Sequence, residues 1–238
     1  MNFKIIEFKE IESTNKYIKE NLDKLRGFDV IVADRQLSGY GRRSRDWFDN
    51  SDNLSFSILV KTVLSDRIGL ITQLAASAVH RALKGFEIDS EIKWPNDVVI
   101  NSKKICGILV ETILIDGVLN TVIGIGLNVN NSKFSKDLSN KATSMFMENG
   151  TTFDKSIVLK VLLKEVGKSL TQYFNKTDEF LSVCRNNSSL IGEYVFIEKN
   201  RRVKIINIDN FGRLLVEENG ETLTFIGSEV SLNNLYNG

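Results

Sequence analysis

Arginine and glycine crowd one stretch of this chain. From Arg35 to Arg45 there are four positive charges and no negative ones in eleven residues, with Gly39 and Gly41 between them. Glycine lets a backbone approach a ligand closely and exposes amide donors. Guanidinium groups grip phosphate or carboxylate through paired hydrogen bonds. Together they suit an anionic small molecule. A solvated basic turn, partly neutralised by Asp34, Asp46 and Asp49, accounts for the same residues, so this stretch alone leaves the choice open.

A second candidate is Lys93-Trp94-Pro95-Asn96-Asp97, which contains the only proline of the chain. Proline fixes its own φ and holds the preceding residue extended, so Lys93 projects from an anchored strand end. The plain alternative is a solvent-facing lysine beside a structural turn. Lys104 to Glu111 and Gly124 to Asn130 are apolar strand patterns with Gly107, Gly124 and Gly126 where bulk would intrude on a neighbour. Tight packing explains those glycines equally well. They are no dinucleotide fingerprint, because no helix opens after them. Cys106, Cys184 and the single His80 are too scattered for a zinc set.

The elements that must carry these residues read as follows. Phe3 to Phe8 alternates like a strand, and Ser13-Thr14-Asn15 caps a helix running to Leu25. Val30 to Ala33 is a buried strand, Asp34 to Asn53 a long loop, and Leu54 to Val60 a further strand. Helical spacing predicts helices over Asp66 to Lys84 and Asp154 to Phe174, and a third from Thr177 to about Asn187. Strands are expected at Glu91 to Trp94, Asp97 to Ile100, Ile105 to Ile113 and Val118 to Val129. From Ile191 onward short strands alternate with turn sequences such as Asp209-Asn210-Phe211-Gly212. The expected fold is α/β (α+β): a mixed-sheet catalytic domain over 1–188, and a small SH3-like β-barrel over 189–238.

Hydrophobic residues are 42% and charged residues 26% of 238, which excludes disordered and disulfide-scaffold classes. A net charge of +1 excludes a bulk pull toward nucleic acid or anionic membrane, so any anion site is local. No apolar run is long enough for a membrane span, and the cysteine usage fits a reducing, cytoplasmic setting.

In this order, the segments resemble the biotin protein ligases. The matched pieces are Ser13-Thr14-Asn15, Gln36 to Arg45 with Trp47, Lys93 to Asp97, Lys104 to Glu111, Gly124 to Asn130, Ala142-Thr143-Ser144-Met145 and Gly227-Ser228-Glu229-Val230-Ser231-Leu232. The family loop is Gly-Arg-Gly-Arg-Arg-Gly-Arg; here Tyr40 and Ser44 replace its first arginine and last glycine. Asn233 stands where an arginine is frequent.

The resemblance implies an ATP-dependent ligase of the monofunctional type, with biotin and ATP as substrates and Mg²⁺ as the accompanying ion. The acceptor it implies is a lysine of a biotin carboxyl carrier protein domain in a biotin-dependent carboxylase. Lys93 and Arg42 are the implied catalytic residues. Ser13, Thr14, Asn15, Gln36, Gly39, Tyr40, Gly41 and Gly107 join them around biotin. Arg43, Arg45, Trp47, Asn96, Lys104, Asn128 and Ala142 join them around ATP or the adenylate, and no metal ligand is assigned. Ser13 comes too early for a preceding DNA-binding domain, so DNA is not an expected partner, and the charge balance and lack of a long apolar run leave no membrane partner expected either. A homodimer is the assembly left open. The rival readings are a lipoate or octanoate ligase and a non-catalytic anion- or RNA-binding module.

Overall fold

The computed structural model describes residues 1–63, 66–197 and 201–227. Ser228 to Leu232 and Asn233 lie outside the described residues. The chain builds Lys4–Ile11 (β1), Thr14–Glu20 (α1), Asp29–Gln36 (β2), Asn53–Val63 (β3), Leu70–Lys84 (α2), Glu91–Lys93 (β4) and Asp97–Ile100 (β5). Lys103–Ile115 (β6), Val118–Asn128 (β7), Met145–Asn149 (α3), Lys155–Asn175 (α4) and Glu179–Asn186 (α5) follow. The last strands are Tyr194–Ile197 (β8), Arg201–Ile208 (β9), Leu214–Glu218 (β10) and Glu221–Phe225 (β11).

Seven strands form one mixed sheet in the order β1-β2-β3-β7-β6-β5-β4. Only β1 and β2 run parallel, joined through α1; the other neighbours are antiparallel. Side chains alternate between the faces of a strand, and β7 shows what each face does. Ile123, Ile125 and Leu127 enter the large core with Leu74 of α2 and Leu162 of α4. Val122 points the other way, into a small cluster with Ile18 of α1, Ile31 and Leu59. Gly124 and Gly126 share the face of Val122, beyond the reach of α1's apolar side. The sheet is therefore thickly covered on one face and only partly covered on the other.

Ser13 caps α1 as expected, its Oγ 3.5 Å from the Lys16 amide. The helix stops at Glu20 rather than Leu25, because Asn21 closes the last turn with its side-chain amide on Tyr17 O at 2.9 Å. The helix expected over Asp66 to Lys84 divides into a 3₁₀ turn at Asp66–Gly69 and α2. α3, capped by Ser144, has no counterpart among the sequence expectations.

The expected SH3-like barrel is corrected. Among the described residues the C-terminal strands make an open antiparallel sheet, β11-β10-β9-β8, with β8 and β11 as its two edges. Its apolar residues Val203, Ile205, Leu214 and Val216 are buried in the same core as Ile92 and Trp94. Packing into the shared core beside α5 and Trp94, rather than closure on itself, satisfies that face.

Candidate active site

On the thinly covered face lies a cavity of about 310 Å³. Its floor is backbone. Gly107 of β6 pairs directly with Gly126 of β7, and Gly124 sits two residues along. A Cβ at Gly126 would come within 2.5 Å of the Trp47 ring, and one at Gly124 within 2.3 Å of Asn15 Oδ1. The glycines are what let side chains from elsewhere lie flat on the sheet.

One end of the cavity is polar and uncharged. The Thr14 amide donates to Gln36 Oε1 at 2.9 Å, and Ser57 Oγ sits between Thr14 Oγ1 (2.7 Å) and Asn15 Oδ1 (2.5 Å). Gln36 in turn donates through its backbone and side-chain nitrogens to Asp49 Oδ2, both at 3.0 Å. Burial pushes the Asp49 carboxyl up, against those hydrogen bonds. Asn15 also donates to Glu111 Oε2 at 2.8 Å.

The basic loop closes over the floor as a small hairpin. Tyr40 bridges to Asp46, the Trp47 amide donates to Gly39 O at 2.9 Å, and the Gly41 amide to Arg45 O at 2.7 Å. Arg43 takes a left-handed φ of 56°, unusual for a side-chain-bearing residue. Arg42 is half-buried; burial and then Arg43 lower its pKa while Asp97 opposes them, and it stays cationic. Its Nη1 donates to Asn96 Oδ1 at 3.0 Å and its Nη2 to Gly227 O.

The cationic end is built on the turn after β4. Asn96 fixes that turn to β6 by donating to Ile108 O at 3.0 Å and accepting the Ile108 amide at 2.9 Å. Lys93 lines the cavity from the strand end, and the Trp94–Pro95 peptide that follows is cis. Across the turn Lys104 Nζ pairs with Asp97 Oδ1 at 2.7 Å and lies 5.5 Å from the Trp47 ring centre.

Most of the residues expected at the site line this one cavity: Ser13, Thr14, Asn15 and Gln36; Tyr40, Gly41, Arg42, Arg43, Arg45 and Trp47; Lys93, Asn96, Lys104 and Gly107. Gly39, Asn128 and Ala142 do not. Asn128 is buried behind the wall, donating to Thr143 O at 2.9 Å and Lys104 O at 3.3 Å, while Ala142 bridges to Lys104. Both act on the backbone of Lys104. Asp97, Glu111, Ser57 and the apolar wall of Phe56 and Ile108 have no counterpart among the expected site residues. The alternation along the glycine-bearing strands was the available signal for the floor. Cys106 is fully buried, and burial drives its thiol far above the usual range, so it is no nucleophile.

A one-sided mixed sheet whose bare floor is roofed by a cationic loop defines an α/β protein built to hold a small anionic ligand. Comparison with known proteins gives the class its name. The biotin/lipoate A/B protein ligase family matches residues 7–128. The bifunctional ligase/repressor BirA of Salmonella typhimurium is 28% identical over 93% of this chain and 72% of its own length. BirA of Bacillus subtilis is 32% identical over 85% of this chain and 66% of its own. The structure of the Aquifex aeolicus biotin protein ligase with biotin and ATP superposes with a TM-score of 0.84 at 28% identity, covering 97% of this chain and 98% of that one. The chain belongs to the biotin/lipoate A/B protein ligase family.

Proposed function

We propose that this chain is an ATP-dependent biotin protein ligase. The observation that carries the reading is the polarity of the cavity: neutral hydrogen-bonding groups of Ser13, Thr14, Asn15 and Gln36 at one end, and Lys93, Arg42 and Lys104 at the other. Biotin has that layout, a neutral ureido ring and a carboxylate tail. The relatives named biotin ligases, and the Aquifex complex with biotin and ATP, support it.

In the first step a biotin carboxylate oxygen attacks the α-phosphorus of ATP, the bond to the bridging oxygen breaks, and pyrophosphate leaves. Carboxylate and polyphosphate repel each other, so fixed cations must neutralise both before they meet. Lys93, a compact charge on an anchored strand end, sits between them, and Arg42 offers a planar fork to the phosphate oxygens. Arg43, Arg45, Asn96 and Trp47 complete the nucleotide side. In the second step the acceptor lysine amine attacks the activated carbonyl, AMP leaves and a proton is released. No side-chain nucleophile is needed. The hairpin from Gly39 to Trp47 shields the mixed anhydride from water between the steps.

Among the described residues no group of three or more His, Cys, Asp or Glu side chains is set to ligate a metal. Mg²⁺ commonly binds through substrate phosphates and only one or two carboxylates, and Asp97 is a carboxylate in the wall beside the cations. Held there with ATP, it would supply further neutralisation of phosphate charge. The acceptor is a biotin carboxyl carrier domain, and residues 1–188 and 189–238 act as catalytic and accessory units. Among the described residues no helix is long and apolar enough to cross a membrane.

The test is direct. The protein is mixed with ATP, Mg²⁺ and either biotin or lipoate, and the acyl-adenylate is detected by mass. Biotin gives product; product from lipoate alone assigns the chain to the other branch of its family, and product from neither removes the ligase reading.

A further inference from the structure

Glu111 is a half-buried carboxylate that the two-step reaction does not use. It accepts three hydrogen bonds from two separate segments: Lys19 Nζ at 2.8 Å and Asn15 Nδ2 at 2.8 Å from α1, and the Tyr40 hydroxyl at 2.9 Å from the basic loop. Lys19 also stands 5.4 Å from the centre of the Tyr40 ring. Glu111 lies on β6, on the same face as Gly107 four residues earlier, so the rigid sheet sets the position of all three donors.

We infer that Glu111 is a positioning residue that latches Tyr40, and with it the basic loop, over the neutral end of the cavity, so that loop closure and recognition of the ligand's uncharged head are one event. The inference rests on the biotin reading for the identity of that head, but the latch itself is a property of the chain. The link runs both ways. Asn15 donates to Glu111 and its Oδ1 meets Ser57, which meets Thr14, which donates to Gln36 at the root of the loop. A ligand that engages Asn15 thus touches the carboxylate holding Tyr40 at the tip and the amide holding the loop at its base. Tyr40 stands where the family pattern has an arginine, and its hydroxyl is what this chain brings to Glu111. Burial opposes the charge on Glu111, but the hydrogen bonds from Lys19, Asn15 and Tyr40 outweigh it and hold the carboxyl below its ordinary range. It is therefore a fixed anion at neutral pH.

The experiment reads the loop without any ligand. Trypsin cuts after Arg42, Arg43 or Arg45 only when the hairpin opens, and the fragments are counted by mass while far-UV circular dichroism follows the whole fold. Tyr40→Phe deletes one hydroxyl and keeps the ring. It raises the cleavage rate about tenfold, the scale of one hydrogen bond to a charged acceptor. Glu111→Gln retains an acceptor oxygen and falls between the parent and Glu111→Ala. The double variant Tyr40→Phe/Glu111→Ala is cut no faster than Glu111→Ala, because the two residues make one contact. Biotin affinity, by calorimetry, weakens in step with cleavage, since the closed loop is the state that binds. A parent rate in Tyr40→Phe, additive effects in the double variant, or unchanged biotin affinity with faster cleavage overturns the latch. A parent protein that binds no biotin overturns the functional reading instead, and the ligand-free cleavage series still decides the contact.

Discussion

The indole nitrogen of Trp94 donates to the carbonyl oxygen of Gly212 at 3.0 Å. Trp94 is fully buried in the turn that presents Lys93, and Gly212 belongs to the bend between β9 and β10. The open C-terminal sheet is thus a buttress for the cationic end of the cavity, and Arg42, which reaches Gly227 O, adds a second tie from the loop.

Trp94→Phe leaves the Gly212 carbonyl short of a donor and opens space in the core. Stability falls by on the order of 2–4 kcal/mol. Urea unfolding at neutral pH reads this, and a midpoint equal to the parent's removes the buttress.

Lys93→Ala deletes the cation that the proposed reaction puts between carboxylate and phosphate. Biotin-dependent pyrophosphate release slows by about 10²-fold or more, the scale for losing one preorganised electrostatic group. The fold is untouched, because the side chain lines the cavity rather than the core. A rate within a factor of two of the parent excludes that role.

Gly124→Ala places a methyl group 2.3 Å from Asn15 Oδ1, closer than atoms can approach. Asn15 must turn away, losing Ser57 and Glu111 together. Calorimetry then shows biotin affinity down by about tenfold or more, the scale of one or more hydrogen bonds of the kind Asn15 makes to charged Glu111, with the thermal transition shifted far less. Unchanged affinity contradicts the place given to Asn15.

The Glu111 carboxyl, held below its ordinary value of 4.5, gives a pH signature. The unfolded chain takes up the proton first, so the carboxylate's contribution is complete above about pH 4.5 and disappears as pH falls through the lower folded value. Unfolding free energies of the parent and Glu111→Gln differ at neutral pH and converge in acid. A gap that stays constant down to pH 3 shows that the charge is not what Glu111 contributes.

What could be read from the chain before its fold was local. The cap at Ser13, the cationic loop and the rigid turn after Lys93 depend on neighbours in sequence, and the structure places each at the cavity. The Tyr40 to Glu111 contact spans 71 residues and the Trp94 to Gly212 contact 118, so composition and spacing carry no trace of either. Register is equally silent: that Gly107 faces Gly126 follows from the pairing of β6 with β7, which alternation alone does not fix. The barrel expectation failed for a related reason. Short strands with turn sequences show that a sheet forms, and only the tertiary core shows whether it closes or docks. Helix ends erred where one side chain decided, as Asn21 did for α1.

The bare floor has a consequence for how such a site can change. Where Gly107, Gly124 and Gly126 floor the cavity there is no side chain to exchange, and each possible replacement only adds volume against Lys104, Asn15 or Trp47. Preference for a different acyl group therefore has to be retuned from the rim, through α1 and the loop, while the sheet beneath stays a fixed datum.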